Sequence, residues 1–399
     1  MTHDSTESIA AQVRAARASR TPLRVVGGAS WMDAGAPCDA TDRIEAGALR
    51  GVVEYEPGDL TLTARAGSTL AELQQATAAH GQWLPLDPAG SADATLGATI
   101  ATASWGPLAA AYGTPRDQVL GCEVVTGTGD VVRAGGRVVK NVAGFDLTRL
   151  MVGAWGTLGV ITEATVRLRA RPEVDETLAI VLGGAESIAH ASRWLRTSAF
   201  TPLAAELLSP ARGAAVGVGS VAAPVLLLRA GGNAPMVREL MRAATSLGDG
   251  QPLDSSVWHR LGTSDGAGTT FRVSAAPARI AALWAATASV VEGAGGTAQA
   301  NLWRGVVRCT IPAAGTRDFM GVLKDMLAAG HPATLVRERG PSWLWEQASS
   351  DGALAALAAG VARAFDPDHL LNPGIMGRST HESGPADGPP HPALQARTT

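Results

Sequence analysis

Four glycine-rich segments contain the residues of this chain best placed to do chemistry. In VVGGASW, Val25 to Trp31, a strand-like run ends in Gly27-Gly28. Consecutive glycines there can turn several backbone N–H groups toward one anion. In LDPAGSADATLGATIATASWGP, Leu86 to Pro107, Asp-Pro and Ala-Gly turns lead into Thr95-Leu96-Gly97. That triplet is predicted to open a helix whose unpaired N–H groups favour a phosphate. The third segment, GGRVVKNVAGFDLTRLMVGAWGTLGVITEATVRL over 135–168, sets Lys140, Asp146 and Arg149 among recurrent glycines. The fourth is the turn Asn372-Pro373-Gly374.

Taken singly, each segment also reads as an ordinary turn. The chain has no GxGxxG and no GxxxxGK[ST], so neither the Rossmann nor the P-loop motif is available. Asp146 reads first as the N-cap of a helix over 147–152, with acid–base work as the second reading, and Arg149 is placed to bind it or a neighbouring carbonyl. The cysteines, Cys38, Cys122 and Cys309, are dispersed and form no CxxC pair, which argues against an iron–sulfur cluster or structural zinc. The histidines stand at 3, 80, 190, 259, 331, 369, 381 and 391, with no pair at metal-ligand spacing.

The elements that must position these segments follow from periodicity. A helix is predicted over 5–18, and strands over 23–26, 52–55, 61–65 and 160–168. Thr69 and Glu72 form a capping box, with Gly81 as the stop, and 124–133 reads as a hairpin. After Pro172, strands at 178–182, 225–228, 271–274 and 306–311 alternate with helices near 185–197, 234–247, 277–292 and 315–329. A last helix spans 353–365. The fold class expected is α+β: a two-part N-terminal domain over 1–172 and a second domain, over 173–365, with an antiparallel sheet backed by helices. Residues 366–377 then return to the first domain, and 378–399, rich in Ser, Pro, Gly and His, is expected to be a disordered tail. The chain's 399 residues suit two domains, and its net charge of −3 gives no field for nucleic acid. The start is no signal peptide and no apolar run reaches membrane-spanning length, so a cytoplasmic protein without direct membrane insertion is expected.

In order and spacing, the four segments resemble the FAD-binding domain of the vanillyl-alcohol oxidase/PCMH superfamily. The run Gly135–Leu168, with Lys140, Asn141, Gly144, Asp146, Arg149, Gly156 and Gly159, is most similar to the small FAD-binding subunits of bacterial glycolate oxidases. The resemblance extends over nearly the whole chain up to the tail. It implies that Gly27, Gly28, Ala29 and Ser30, with Trp31 beside them, clasp the pyrophosphate. They would do so together with Asp87, Pro88, Ala89, Gly90, Thr95, Leu96 and Gly97. Ala101, Thr102, Ser104 and Gly106 would run beneath the flavin ring, where Trp105 and Trp155 could also lie. Gly156, Gly159, Val160 and Ile161 would meet the adenine and ribose, and Asn372 would return from a cap domain to the flavin.

Two departures from the family pattern shape what else is expected. Many members bind FAD through a histidine in the first pyrophosphate loop; here no His lies between Val25 and Asp39, so FAD is expected to be non-covalent. Relatives that oxidise 2-hydroxy acids unaided carry a His-x-Gly-Asp-Gly-Asn-x-His run, whose histidines suit removal of the hydroxyl proton. Here the comparable stretch reads Gln299-Ala300-Asn301-Leu302-Trp303-Arg304-Gly305-Val306. The catalytic set is thus unassigned, with Lys140 and His369 as candidates. Lys140 is read either as a cation near the flavin N1–C2=O edge or as a solvated loop lysine. The resemblance implies a subunit of a complex oxidising glycolate to glyoxylate, with a larger flavoprotein subunit bearing the substrate site and an iron–sulfur subunit accepting electrons. These partners could hold the chain at the inner face of the membrane. The alternatives are a stand-alone FAD-dependent oxidase of an alcohol or hydroxy acid, and a scaffold holding structural FAD.

Overall fold

The computed structural model describes residues 5–90, 93–136, 146–218, 223–263, 268–321, 333–346 and 352–377. Lys140, Asn141, Gly144, most of the predicted helix 315–329 and the tail 378–399 lie outside them.

Helix α1 (Thr6–Ser19) starts where Ser5 accepts the Ser8 N–H, and it buries Ile9, Val13 and Ala16 along one stripe. Strand β1 (Leu23–Val26) pairs in parallel with β2 (Asp42–Glu45). A five-stranded antiparallel sheet follows in the order β3-β4-β8-β6-β7. Its strands are β3 (Val52–Glu56), β4 (Thr61–Arg65), β6 (Val119–Val125), β7 (Val131–Gly135) and β8 (Val160–Arg167). A two-stranded ladder joins β5 (Gln82–Trp83) to β9 (Arg169–Ala170). Helix α2 (Leu70–Ala78) carries both hydrogen bonds of the Thr69/Glu72 capping box, and α3 (Leu96–Ala101) begins at Thr95. Short helices α4 (Ala109–Tyr112), α5 (Pro115–Gln118) and α6 (Leu147–Met151) complete this half. Asp146 caps α6 by accepting the Arg149 N–H, and the Arg149 side chain pairs with it at 3.3 Å.

The second half is one eight-stranded antiparallel sheet in the order β13-β10-β12-β11-β15-β16-β14-β17. In chain order these are β10 (Val174–Val181), β11 (Ala204–Leu208), β12 (Val225–Gly232), β13 (Gly250–Leu253), β14 (Thr269–Ser274), β15 (Thr297–Asn301), β16 (Val306–Ile311) and β17 (Thr334–Arg339). One face is buried under α7 (Ala185–Thr197), α9 (Ala234–Ala244) and α11 (Ile280–Gly293) in a core that includes Ile188, Leu240, Phe271 and Trp284. Strand alternation sends the neighbouring side chains, Glu206, Arg272, Gln299, Asn301 and Arg308, to the opposite face, where they line a cavity. Short helices α8 (Pro210–Ala215) and α10 (Ser256–Thr263) sit on that side.

β11, β13, β15 and β17 are absent from the sequence expectation. AAELL over 204–208 has helix-forming composition and becomes a strand because both its neighbours, β12 and β15, pair with it. TAQAN over 297–301 has only alanines on its buried face, too little apolar signal to read as a strand.

The chain end closes the first half. Leu23 N–H donates to Leu370 O at 2.7 Å, and Asn372 N–H donates to Leu23 O at 2.8 Å, so residues 370–372 extend the small β1–β2 sheet. The buried Asn372 side chain accepts the Val25 N–H at 2.7 Å and donates to Trp155 O at 2.6 Å. Replacing it strands a donor and an acceptor at once. Asn372→Ala is therefore expected to cost about 2–3 kcal/mol in urea unfolding followed by circular dichroism. An unchanged midpoint would remove this residue from the account of the fold.

Candidate functional site

A cleft of about 750 Å³ lies between the end of β1, α3, the loop before β8 and the chain's C-terminal return. Of the residues singled out in the sequence, Gly27, Gly28, Ala29, Ser30, Trp31, Thr95, Gly97, Ala101, Thr102, Gly156, Gly159, Ile161 and Asn372 all line it, as does Trp155. The loop after β1 turns through Ala29 at φ 57, a left-handed conformation an alanine adopts only under constraint. The N–H groups of Gly28, Ala29 and Ser30 donate to no backbone carbonyl among the described residues. Successive N–H groups in such a turn form a concavity for an anion. Packing requires small residues here: a Cβ on Gly28 would lie 3.1 Å from Asp93 O and 3.2 Å from Thr95 Cγ2. At Gly156, φ is +72° and a Cβ would meet Asn372 Nδ2 at 2.6 Å.

The start of α3 differs from expectation. Leu96 N–H donates to Ser68 O and Gly97 N–H to Ala66 O, while Ala98 N–H is capped by Thr95 Oγ1. These donors are used in joining α3 to the Gly67 turn, so the helix start does not offer the open N–H groups that the sequence suggested for a phosphate. Leu96 and Val160 are fully buried in the core, and Ser104 is buried with its N–H on Thr99 O. None of the three lines the cleft. Asn372 lines it, but its amide is committed to Val25 and Trp155. His369 sits at φ 52 in the turn before Leu370, is exposed, and lines neither this cleft nor the cavity described next. It is thus poorly placed for proton transfer.

Asp87, Ala89 and Gly106 face instead a second cavity of about 470 Å³, between the first half and the cap sheet. The partition between the two spaces is Trp31, whose indole N–H donates to Ala89 O at 3.2 Å. Gly90 belongs to the same partition, since a Cβ there would lie 2.5 Å from Trp31 Nε1. Pro88 lies between Asp87 and Ala89 and lines neither space. Gly106 approaches the Asp87 carbonyl so closely that a Cβ would fall 1.9 Å from it.

The cap wall of this second cavity is polar. Glu206, 2% exposed, accepts from Gln299 Nε2 at 2.9 Å and from Asn301 Nδ2 at 2.6 Å. Burial pushes its carboxyl up to about 8, aided by the charge of Asp87 and opposed by Gln299, Asn301 and Arg212. Asp87 is half-buried as a residue but its carboxyl is enclosed. Burial raises it to about 7 against the Leu108 N–H, which it accepts at 2.9 Å, and the pull of Arg229. Arg212, 4% exposed, donates to Leu261 O at 2.8 Å. Arg272 and Arg308 share the carboxylate of Glu338, at 2.6 and 2.8 Å. Trp105 stacks with Arg272 and Arg304, each 5.6 Å from its ring centroid. Sequence reasoning missed Glu206, Arg212, Arg272 and Arg308. A signal existed for Glu206: a lone carboxylate inside an apolar run, AAELL, is expensive to bury without purpose.

Comparison with known proteins agrees with this geometry. The family model described as FAD binding domain matches residues 1–135. The chain is similar to glycolate oxidase subunit GlcE of Escherichia coli (strain K12), 36% identical over 192 residues, 48% of this chain and 55% of that protein. It is similar also to glycolate oxidase subunit GlcD of Bacillus subtilis (strain 168), 42% identical over 127 residues, 32% of this chain and 27% of that protein. The chain thus spans about half the length, or less, of these curated relatives. In fold it matches p-cresol methylhydroxylase with a TM-score of 0.73 at 16% identity, over 95% of this chain and 88% of that one. By sequence, residues 1–135 thus match the family described as FAD binding domain, and over nearly its full length the chain has the fold of the p-cresol methylhydroxylase structure.

Proposed function

We propose that this chain is the FAD-binding subunit of a glycolate oxidase or dehydrogenase complex, holding FAD non-covalently and passing electrons to a partner. The observation that carries this reading is the cleft whose open N–H groups, at Gly28, Ala29 and Ser30, lie at the end of β1. They suit the pyrophosphate, and the small residues Gly97, Ala101 and Gly156 leave the cleft wall free of bulk. The turn Gly27–Trp31 contains no histidine, cysteine or tyrosine that could attach the cofactor covalently. When bound, FAD accepts a hydride from a CH–OH donor and can release electrons singly. The chain's own part is to bind and orient the cofactor: the Asn372 hydrogen bonds hold the Trp155 loop and β1 at a constant separation.

Several features favour a complex over a lone enzyme. The relatives named as glycolate oxidase subunits carry that subunit status in their names. Cys122 and Cys309 are buried, their thiols pushed up to about 11 and 12, so they stay protonated and unsuited to a cluster. Among the described residues, no group of His, Cys, Asp and Glu could hold a metal, and no helix is long and apolar enough to cross a membrane. Electrons would leave through a larger flavoprotein and an iron–sulfur subunit, and any membrane contact would be theirs. The second cavity favours the alternative, a stand-alone oxidase of an alcohol or hydroxy acid, because it places polar groups of this chain beside the cofactor loops.

On acid precipitation the purified chain is expected to release its yellow colour to the supernatant; colour kept in the pellet would mean a covalent flavin. Gly28→Val should lower flavin content at least tenfold without loss of far-UV dichroism, because its branched side chain would crowd Asp93 O and Thr95 and shift the loop. Under anaerobic conditions glycolate should leave the flavin of the isolated chain oxidised and bleach it once the partner subunits are added. Rapid bleaching of the chain alone would instead establish the stand-alone enzyme.

A further inference from the structure

Of the eight methionines in the chain, Met32 and Met376 are 38% and 57% exposed. Met151 is buried, and Met236, Met241 and Met320 are half-buried. The two exposed side chains belong to one rim: Met32 lines the first cleft, and Met376 follows Ile375, which also lines it. The segments carrying them are joined where the Ala36 N–H donates to Ile375 O at 2.8 Å. A thioether in contact with water is open to two-electron oxidants, and a buried one is shielded from them.

The Met376 sulfur lies 3.9 Å from Thr157 Oγ1. The Thr157 hydroxyl has a nearer and stronger acceptor in Ala154 O, at 2.7 Å, and the Thr157 N–H donates to the same carbonyl at 2.9 Å. These two bonds close the turn 154–157, whose Trp155 and Gly156 line the cleft. Both residues hold left-handed backbone, Trp155 at φ 52 and Gly156 at φ 72, so the turn depends on the bonds that close it. A thioether sulfur accepts weakly and leaves the hydroxyl with Ala154. A sulfoxide in its place is polar, and its oxygen competes for that proton.

The geometry points to Met376 as a modification site that takes one oxygen atom from hydrogen peroxide, with Thr157 as the positioning residue that passes the change to the cleft. In this step the thioether sulfur attacks peroxide, the O–O bond breaks and a sulfur–oxygen bond forms. The sulfur gives up two electrons, and the second peroxide oxygen leaves as water with both protons. The product is methionine sulfoxide, which methionine sulfoxide reductases return to the thioether, so the change is reversible. Peroxide arises where flavin electrons pass to dioxygen instead of a partner, so on the proposed function the oxidant forms in the cleft that Met376 borders. The inference rests on that reading only for the source of the oxidant and for flavin release as one readout. Loosening of the 154–157 turn then lowers cofactor retention when electrons miss their acceptor.

The test is treatment of the flavin-bearing chain with dilute hydrogen peroxide, followed by peptide mapping, amide hydrogen exchange and flavin release. Met376 should be oxidised about tenfold faster than the buried Met151. Exchange in the peptide covering 154–157, and dissociation of the flavin, should each quicken about threefold. Treatment with the reductases should restore both rates. In Met376→Leu neither rate should respond to peroxide, which separates Met376 from Met32. Thr157→Val should still form the sulfoxide but show the same two rates before and after it, whereas Thr157→Ser should respond as wild type does. Oxidation of Met376 no faster than that of Met151, exchange over 154–157 unchanged by the sulfoxide, or a full peroxide response in Met376→Leu overturns the proposal. Should the chain hold no flavin, peptide mapping and exchange still decide, so that outcome counts against the cofactor reading and not against this one.

Discussion

The first half of this molecule depends on hydrogen bonds that bring residue 372 beside residue 25. β1 and β2 have four residues each and pair only with one another, a ladder too small to persist alone. Residues 370–372 give β1 a second neighbour, and the Asn372 amide reaches onward to Trp155 O. The walls of the cleft therefore come from segments near residues 28, 97, 156 and 372, far apart in the chain and held by a few short contacts. At Gly156 those contacts leave no room for a side chain, and at Gly28 a Cβ would crowd Asp93 O and Thr95. Small residues and an asparagine in a left-handed turn are the local cost of this closure.

The cap sheet solves a different problem. Helices cover its apolar face, while its other face carries arginines, amides and carboxylates that line the second cavity. The buried polar groups there are paired: Glu338 bridges Arg272 and Arg308, and the Glu206 carboxyl accepts from two amides. Such networks seldom add net stability over apolar packing. Their value lies in orientation and in the proton affinity that enclosure imposes. Burial holds Asp87 and Glu206 near neutrality in the pH range where an exposed carboxyl would be ionised.

The two spaces meet at Trp31. Its indole hydrogen bond to Ala89 O and the Arg339 guanidinium 5.1 Å from its ring centroid tie the first loop, the second loop and strand β17 together. Trp31 is thus one of several links between the cap sheet and the first cleft, and the backbone bridge between Ala34 and Arg339 runs beside it. Asp33 pairs with the same arginine at 3.4 Å.

Much of this was legible before the structure. Periodicity places α1, β1, β4, α7 and the final helix within a residue or two, and turn chemistry identifies the Thr69/Glu72 capping box, the Asp146 cap and the loop after β1. These features are local: a few neighbouring residues determine each through capping, turn geometry or a hydrophobic stripe. Which donors remain open was not legible, because the α3 N–H groups are taken by Ala66 and Ser68, some 30 residues earlier in the chain. Nor was the second cavity, whose acid Glu206 and arginines Arg212, Arg272 and Arg308 come from four separate elements of the cap. The sequence alone determined the glycine-rich loops, whose order and spacing carry the resemblance that implies the class of cofactor. Only the tertiary structure decided which face of each strand meets them, because strand neighbours and side-chain direction depend on pairing between distant segments.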